Sequence, residues 1–267
     1  MIQRILTGVI GIPALIALLW IRGWAASLAI VVCCVLGMYE EYSAFRRKNH
    51  YPSVWPGMLC ALALWPAYAW KGADVLLPLM VFGMMMAMFE IVTRKKPEWV
   101  DAAVSLYPIV TVFLPMALFM MLLDDARQPI GLVLVIFAFV IAFGGDIFAY
   151  FIGTFMGKHK LCPAVSPKKT VEGAIGGLIG GAALCMIAAF ICRLTGAATP
   201  RYLSVFVLSI VGGIAGQIGD LSASLVKRHC GIKDFGSVFP GHGGIMDRLD
   251  SVLFTLIVVC SYCILFW

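Results

Sequence analysis

Nine apolar runs constrain this chain more than any other feature. They fall at about 5–21, 24–42, 55–70, 75–93, 104–123, 130–153, 172–192, 202–226 and 248–266. A helix that crosses a bilayer needs about 20 residues, with about 17 as a lower limit. In lipid every backbone N–H and C=O must find a partner within the protein, so runs of this kind fold as helices. Composition agrees: of 267 residues, 62% are hydrophobic and 13% charged, and the mean hydropathy is +0.98. A soluble domain is nearer half apolar and a quarter charged. The expectation is an all-α, polytopic integral membrane protein of about nine transmembrane helices, with no room for a soluble domain of ordinary size. The third run is short and carries Pro56 and Pro66, which makes it the weakest span.

The loops between runs alternate in charge. One set holds Arg4, residues 46–48 and 94–96, Lys158, Lys160, Lys168, Lys169, Lys227, Arg228, Lys233 and Arg248, fifteen of the twenty bases. The other set holds Arg22, Lys71, Arg127, Arg193 and Arg201. Cytoplasmic loops carry the excess of Lys and Arg, so the first set is cytoplasmic. The N-terminus is then inside and, with nine spans, the C-terminus outside. Residues 1–128 form about five helices, and 129–267 form a second region with cytoplasmic loops at 154–171 and 227–247. The net charge of +6 gathers between apolar runs rather than along a face. That pattern points to orientation and anionic head groups, not to nucleic acid.

The nine cysteines follow no disulfide or CxxC zinc spacing, and seven lie in apolar runs, where they serve as small hydrophobes. Glu40 and Glu41 are read as extending the second helix into water, and Glu90 as a satisfied structural carboxylate near the end of the fourth. Two runs are glycine-rich. Gly173, Gly176, Gly177, Gly180 and Gly181 in one, and Gly212, Gly213, Gly216 and Gly219 in the other, give small-xxx-small spacings that let helices approach closely.

Acids then gather at one depth. Asp146 lies near the inner end of the sixth run, Asp220 near that of the eighth, and Asp247 and Asp250 open the ninth. Charged groups at a membrane edge are costly to desolvate and mark functional sites. Asp220, Ser224 and Lys227 share a helix face, as do Asp247 and Asp250. Lys168 and Lys169 precede Thr170, a plausible N-cap whose helix would offer free N–H groups to an anion. From the residues alone, this is a metal-assisted transfer on a phosphorylated substrate at the cytoplasmic membrane face. Carboxylates hold a hard cation and bases neutralise phosphate. Two rivals share some of these features: a secondary transporter, which should show inverted halves, and a membrane prenyl- or alcohol-phosphotransferase, which also uses aspartates with Mg²⁺.

Two motifs carry a resemblance. Ser224, Lys227, Arg228, Lys233 and Asp234, followed by Pro240, Gly241, His242, Gly243, Gly244, Asp247, Arg248 and Asp250, resemble the C-terminal signature of the phosphatidate cytidylyltransferase (CDP-diacylglycerol synthase) family. Asp146, Ala149, Tyr150 and Gly153, with Ser166, Pro167, Lys168, Lys169, Thr170, Glu172 and Gly173, resemble its central block. Ile147 stands where a threonine is usual and Val171 where a tryptophan is common. The resemblance implies transfer of a cytidylyl group from CTP to phosphatidate, giving CDP-diacylglycerol and pyrophosphate, by a multi-pass enzyme of the inner membrane whose active site faces the cytoplasm. The acid count fits Mg²⁺ with a second cation (K⁺ or Mg²⁺), and the resemblance implies a homodimer. Asp220 and Asp247, then Asp146 and Asp250, are the expected metal ligands, and with Lys227 they form the expected catalytic set. Lys168, Lys169, Thr170, Arg228, Lys233 and Arg248 would hold phosphates. Ser222 and Ser224 would bind metal-bound water or phosphate. His242 would either touch phosphate or shape its turn.

Overall fold

The computed structural model describes residues 23–124, 127–238 and 243–266. The first apolar run, 5–21, and His242 therefore lie outside the described residues. The described chain is predominantly helical: α1 Gly23–Arg47, α2 Trp55–Lys71, α3 Leu76–Val92, α4 Trp99–Leu122, α5 Ile130–Met156, α6 Val171–Leu194, α7 Tyr202–His229 and α8 Met246–Phe266. Among the described residues, seven stretches are long and apolar enough to cross a membrane, with Trp55–Val92 counted as one stretch of 38 residues. That stretch is α2 and α3 joined by a 3₁₀ turn at Gly72–Val75. The two helices fold back on each other: the Cys60 thiol meets the Leu79 carbonyl, and near the open end Ser53 donates to Glu90.

The chain divides into two compact units, one of residues up to Met121 with Val226–Leu249, the other of Leu122–Leu225 with Asp250–Trp267. In the first, α1 buries a stripe at Ala26, Ile30, Cys34, Met38 and Tyr42, a spacing of four that keeps one helix face inward. Helix α1 packs against α2, where Gly57 meets Met38 and Tyr42, and runs antiparallel along α4. Gly37 lies against Val112, Glu41 accepts from the Thr111 hydroxyl at 2.8 Å, and Tyr42 donates to the Ser105 carbonyl at 3.0 Å. Helix α4 widens into a π turn at Ile109–Phe113. Pro115 cannot donate to Thr111 four residues back and its ring crowds that carbonyl, so one looser turn relieves both problems. The helix starts five residues before the apolar run because Asp101 in its first turn is satisfied: Asp101 accepts from the Tyr51 backbone N–H at 2.9 Å and faces Arg94 at 3.6 Å. Glu90 pairs with Arg94 at 2.7 Å, the structural role expected of it.

The expectation for Glu40 and Glu41 is corrected. Neither reaches water; they are 5% and 0% exposed. Helix α1 does run on to exposed Arg46 and Arg47, but both carboxylates turn to donors inside the protein.

In the second unit, α5 and α6 pack along a seam of small residues. A Cβ on Gly177 would lie 2.8 Å from the Gly145 carbonyl, and one on Gly173 would lie 2.8 Å from that of Ala149. Only hydrogen fits at that separation, and lipid offers no hydrophobic drive to replace this close van der Waals contact. Gln217 of α7 donates to the Ala174 carbonyl at 2.9 Å, and Thr255 of α8 donates to that of Gly212 at 3.1 Å, so side-chain amides and hydroxyls join the remaining helices. The loop expected between α5 and α6 is instead a small antiparallel hairpin, β1 Lys160–Cys162 with β2 Ser166–Thr170.

Candidate active site

The hairpin ends where α6 begins. Thr170 is buried, and its hydroxyl accepts from the Gly173 N–H at 3.1 Å, the N-cap expected from sequence. Glu172, in the first helical turn, reaches back to the N–H groups of Lys158 and His159 and to His159 Nδ1 at 2.6 Å. The hairpin is thus held at its base, which holds its two lysines against the helices.

Those lysines face a cavity of about 340 Å³. Its wall includes Asp146 and Tyr150 from α5, Lys168, Lys169 and Thr170 from β2, and Gln217 and Asp220 from α7. Lys169 Nζ forms an ion pair with Asp220 Oδ2, and both side chains stay about a quarter exposed. Ser251 donates to Asp146 Oδ2 at 3.0 Å. Ser224 lies one turn beyond Asp220, its hydroxyl 3.5 Å from Asp220 Oδ1, the long limit of a hydrogen bond. Asp146, Lys168, Lys169, Thr170 and Asp220 are therefore brought together as the sequence suggests. Asp250 is not on this wall; it is 8% exposed, and its Oδ1 accepts from the next backbone N–H, that of Ser251, at 2.8 Å. Ser222 is half-buried on α7.

Asp247 and Lys227 form a second cluster, within the first unit. Lys227 Nζ meets Asp247 Oδ1 at 2.8 Å, and their side chains are 13% and 3% exposed. Asp247 Oδ2 accepts from the Phe235 N–H at 2.7 Å and the Gly244 N–H at 3.0 Å. The Phe235 ring lies beneath the Lys227 ammonium, 5.4 Å away. Arg228, Lys233 and Arg248 are exposed. The residue that sequence reasoning missed is Glu40, which joins this cluster by accepting from Ile245 and Met246. Its signal was a carboxylate in the acidic-aromatic end Glu40-Glu41-Tyr42 of an apolar run, where an exit into water explains it equally well.

Among the described residues, no three His, Cys, Asp or Glu side chains gather as a metal cage. His229 turns instead to His50, with 3.2 Å between their Nε2 atoms. The cavity supplies two carboxylates, and Asp220 already holds one cation, the Lys169 ammonium. Mg²⁺ characteristically takes one or two protein carboxylates and fills its remaining positions with water and substrate phosphate, so this donor set fits it.

Residues 2–266 match the profile of the Cytidylyltransferase family. The chain is 30% identical over 259 residues to the phosphatidate cytidylyltransferase of Staphylococcus haemolyticus, covering 95% of each chain. It is 30% identical over 261 residues to that of Bacillus subtilis, covering 95% of this chain and 94% of the relative. It is 31% identical over 294 residues to that of Synechocystis sp., covering 98% and 96%. With its acids and lysines around one cavity and a match that runs from one end of the chain to the other, this protein belongs to the cytidylyltransferase family.

Proposed function

We propose that the chain transfers a cytidylyl group from CTP to phosphatidate, releasing pyrophosphate and leaving CDP-diacylglycerol in the membrane. The observation that carries this reading is the cavity on whose wall Asp146, Asp220, Lys168 and Lys169 meet. The names of its relatives support it, and the transporter and isoprenyl-transfer readings lose their ground with the family assignment.

In the reaction, a phosphate oxygen of phosphatidate attacks the α-phosphorus of CTP. The bond from that phosphorus to the bridging oxygen of the β-phosphate breaks, and its electron pair leaves on pyrophosphate. The attacking oxygen is already anionic at neutral pH, so the site needs little general-base work. What it must supply is alignment and charge. Lys168 and Lys169 come from a hairpin held at its base and hold phosphate oxygens. Thr170 fixes where that strand becomes α6. Asp146, oriented by the Ser251 hydroxyl, and Asp220 would hold Mg²⁺. When bound, the cation supplies positive charge to the triphosphate and to the leaving pyrophosphate. Without it the two lysines and two aspartates balance; with it the cavity becomes positive, as a polyanionic substrate requires. Lys169 would pass from Asp220 to phosphate as the cation takes its place. In the other cluster, Asp247 holds Lys227 ready for phosphate charge.

The same reading takes nine spans, with 5–21 as the first and α2 and α3 as separate crossings. It places the N-terminus and the lysine-rich loops in the cytoplasm, the chain in the inner membrane, and the protein as a homodimer. Cysteine labelling from either side of sealed vesicles tests the orientation, and the mass of the detergent-solubilised protein tests the dimer. The chemistry is tested with purified protein, Mg²⁺, labelled CTP and phosphatidate. A lipid-soluble cytidine product with equimolar pyrophosphate is expected. Pyrophosphate release that does not depend on phosphatidate would overturn the assignment.

A further inference from the structure

The buried carboxylate of Glu40 has a use that its place on α1 does not suggest. Its Oε1 accepts from the Ile245 N–H at 3.1 Å and its Oε2 from the Met246 N–H at 2.9 Å. The preceding N–H, that of Gly244, goes to Asp247. Three consecutive N–H groups where α8 begins are therefore closed by two carboxylates of the protein itself. Helix N-termini attract anions because their first N–H groups have no partner within the helix. Here that position is filled from inside, so α8 has none of these three to offer a phosphate. What the arrangement does instead is fix Asp247, the next residue after Met246, and through it Lys227.

Gly236 and Gly244 support this reading. A Cβ built on Gly236 or on Gly244 would fall on the Glu40 carboxylate. Two described points of the chain, Gly236 and Gly244, thus close over one acid, and each is a residue without a side chain. Glu40 is 5% exposed, and among the described residues these N–H groups, not a base, are the partners at its two oxygens. A buried carboxylate that accepts from two backbone donors is a directional clamp, because each oxygen fixes the line of one N–H.

We infer that Glu40 is a positioning residue: it clamps the start of α8 and so sets the Lys227–Asp247 pair that acts on substrate phosphate. The inference rests on the proposed role of Lys227 and gives the N-terminal helices a share in the chemistry. Gln at this position keeps the shape but can accept at only one of the two atoms, and its amide opposes the second N–H.

The test is a double-mutant cycle on the full-length protein, with kcat and the CTP KM measured for Glu40→Gln, Lys227→Ala and the pair. Groups that orient others at active sites typically cost about 10- to 100-fold when altered. Glu40→Gln should lower kcat by about that factor with KM changed less than about 3-fold, as for an interaction realised in the transition state. In the Lys227→Ala background it should cost less than about 2-fold, because coupled residues are not additive. An equal loss in both backgrounds would mean that Glu40 serves structure alone, and the inference fails. If Lys227→Ala itself keeps wild-type kinetics, the proposed role of Lys227 fails first, and the inference with it. Should Glu40→Gln not accumulate in membranes, Gly236→Ala, which displaces the same carboxylate without removing it, enters the cycle in its place with the same two outcomes.

Discussion

Asp220 and Asp247 each carry a lysine partner, yet the two pairs stand in different surroundings. The Lys169–Asp220 pair sits on the wall of a cavity, with both side chains about a quarter exposed. The Lys227–Asp247 pair is nearly closed off, and Asp247 also accepts two backbone N–H groups. An exposed pair is worth about 1 kcal/mol or less to stability and can exchange partners at little cost. A buried pair is costly to break, because the survivor is left charged and desolvated. The same two residue types therefore serve a replaceable contact in one unit and a fixed one in the other. The open pair suits the exchange of an ammonium for a metal ion, and the closed pair suits holding a charge in one place.

Substitutions can break this contrast, and the largest effect is expected at the open pair. Asp220→Asn should lower kcat by at least about 10³-fold, on the scale of losing a main electrostatic contact, while thermal stability in detergent changes by less than about 1 kcal/mol. A Tm loss as large as the activity loss would make Asp220 a structural acid instead. Asp247→Asn should behave otherwise: about 3–5 kcal/mol of stability should go with the activity, because Lys227 is left buried and unpaired. If Asp247→Asn melts with the wild type, the distinction between the two pairs is wrong.

Smaller effects sharpen the same picture on the cavity side. Gly177→Ala puts a methyl 2.8 Å from the Gly145 carbonyl, so α5 and α6 must part. A cost of about 1–3 kcal/mol is expected, with activity falling further than stability, since Asp146 and Lys169 stand on opposite sides of that seam. Thr170→Ala should cost about 1 kcal/mol through the lost N-cap, with a modest rise in the CTP KM as Lys168 and Lys169 lose their fixed end. An unchanged KM would detach the hairpin from nucleotide binding.

Much of the cavity was legible in the sequence. Its acids interrupt apolar runs, its lysines abut a residue that caps helices, and helical spacing is enough to bring Asp146 and Asp220 to the end of adjacent segments. The hairpin was not legible, since Ser166–Thr170 has little β propensity and two lysines; its form comes from the pairing with Lys160–Cys162 and from Glu172 at its base. The burial of Glu40 was hidden for a different reason. Its partners are backbone N–H groups about 205 positions away, and backbone donors leave no trace in residue identity. Asp247 was read as a metal ligand, and its three protein donors, Lys227 and the N–H groups of Phe235 and Gly244, follow from tertiary placement that no local pattern records.

The account depends on Asp146 and Asp220 holding a divalent cation beside the hairpin lysines, and Mn²⁺ in place of Mg²⁺ reads this directly. Electron paramagnetic resonance titration of the purified protein with Mn²⁺ and CTP should show a bound-ion signal that the Asp146→Asn, Asp220→Asn double variant loses, with affinity falling at least about 10-fold. Equal Mn²⁺ affinity in the double variant and the wild type, both folded, would contradict it.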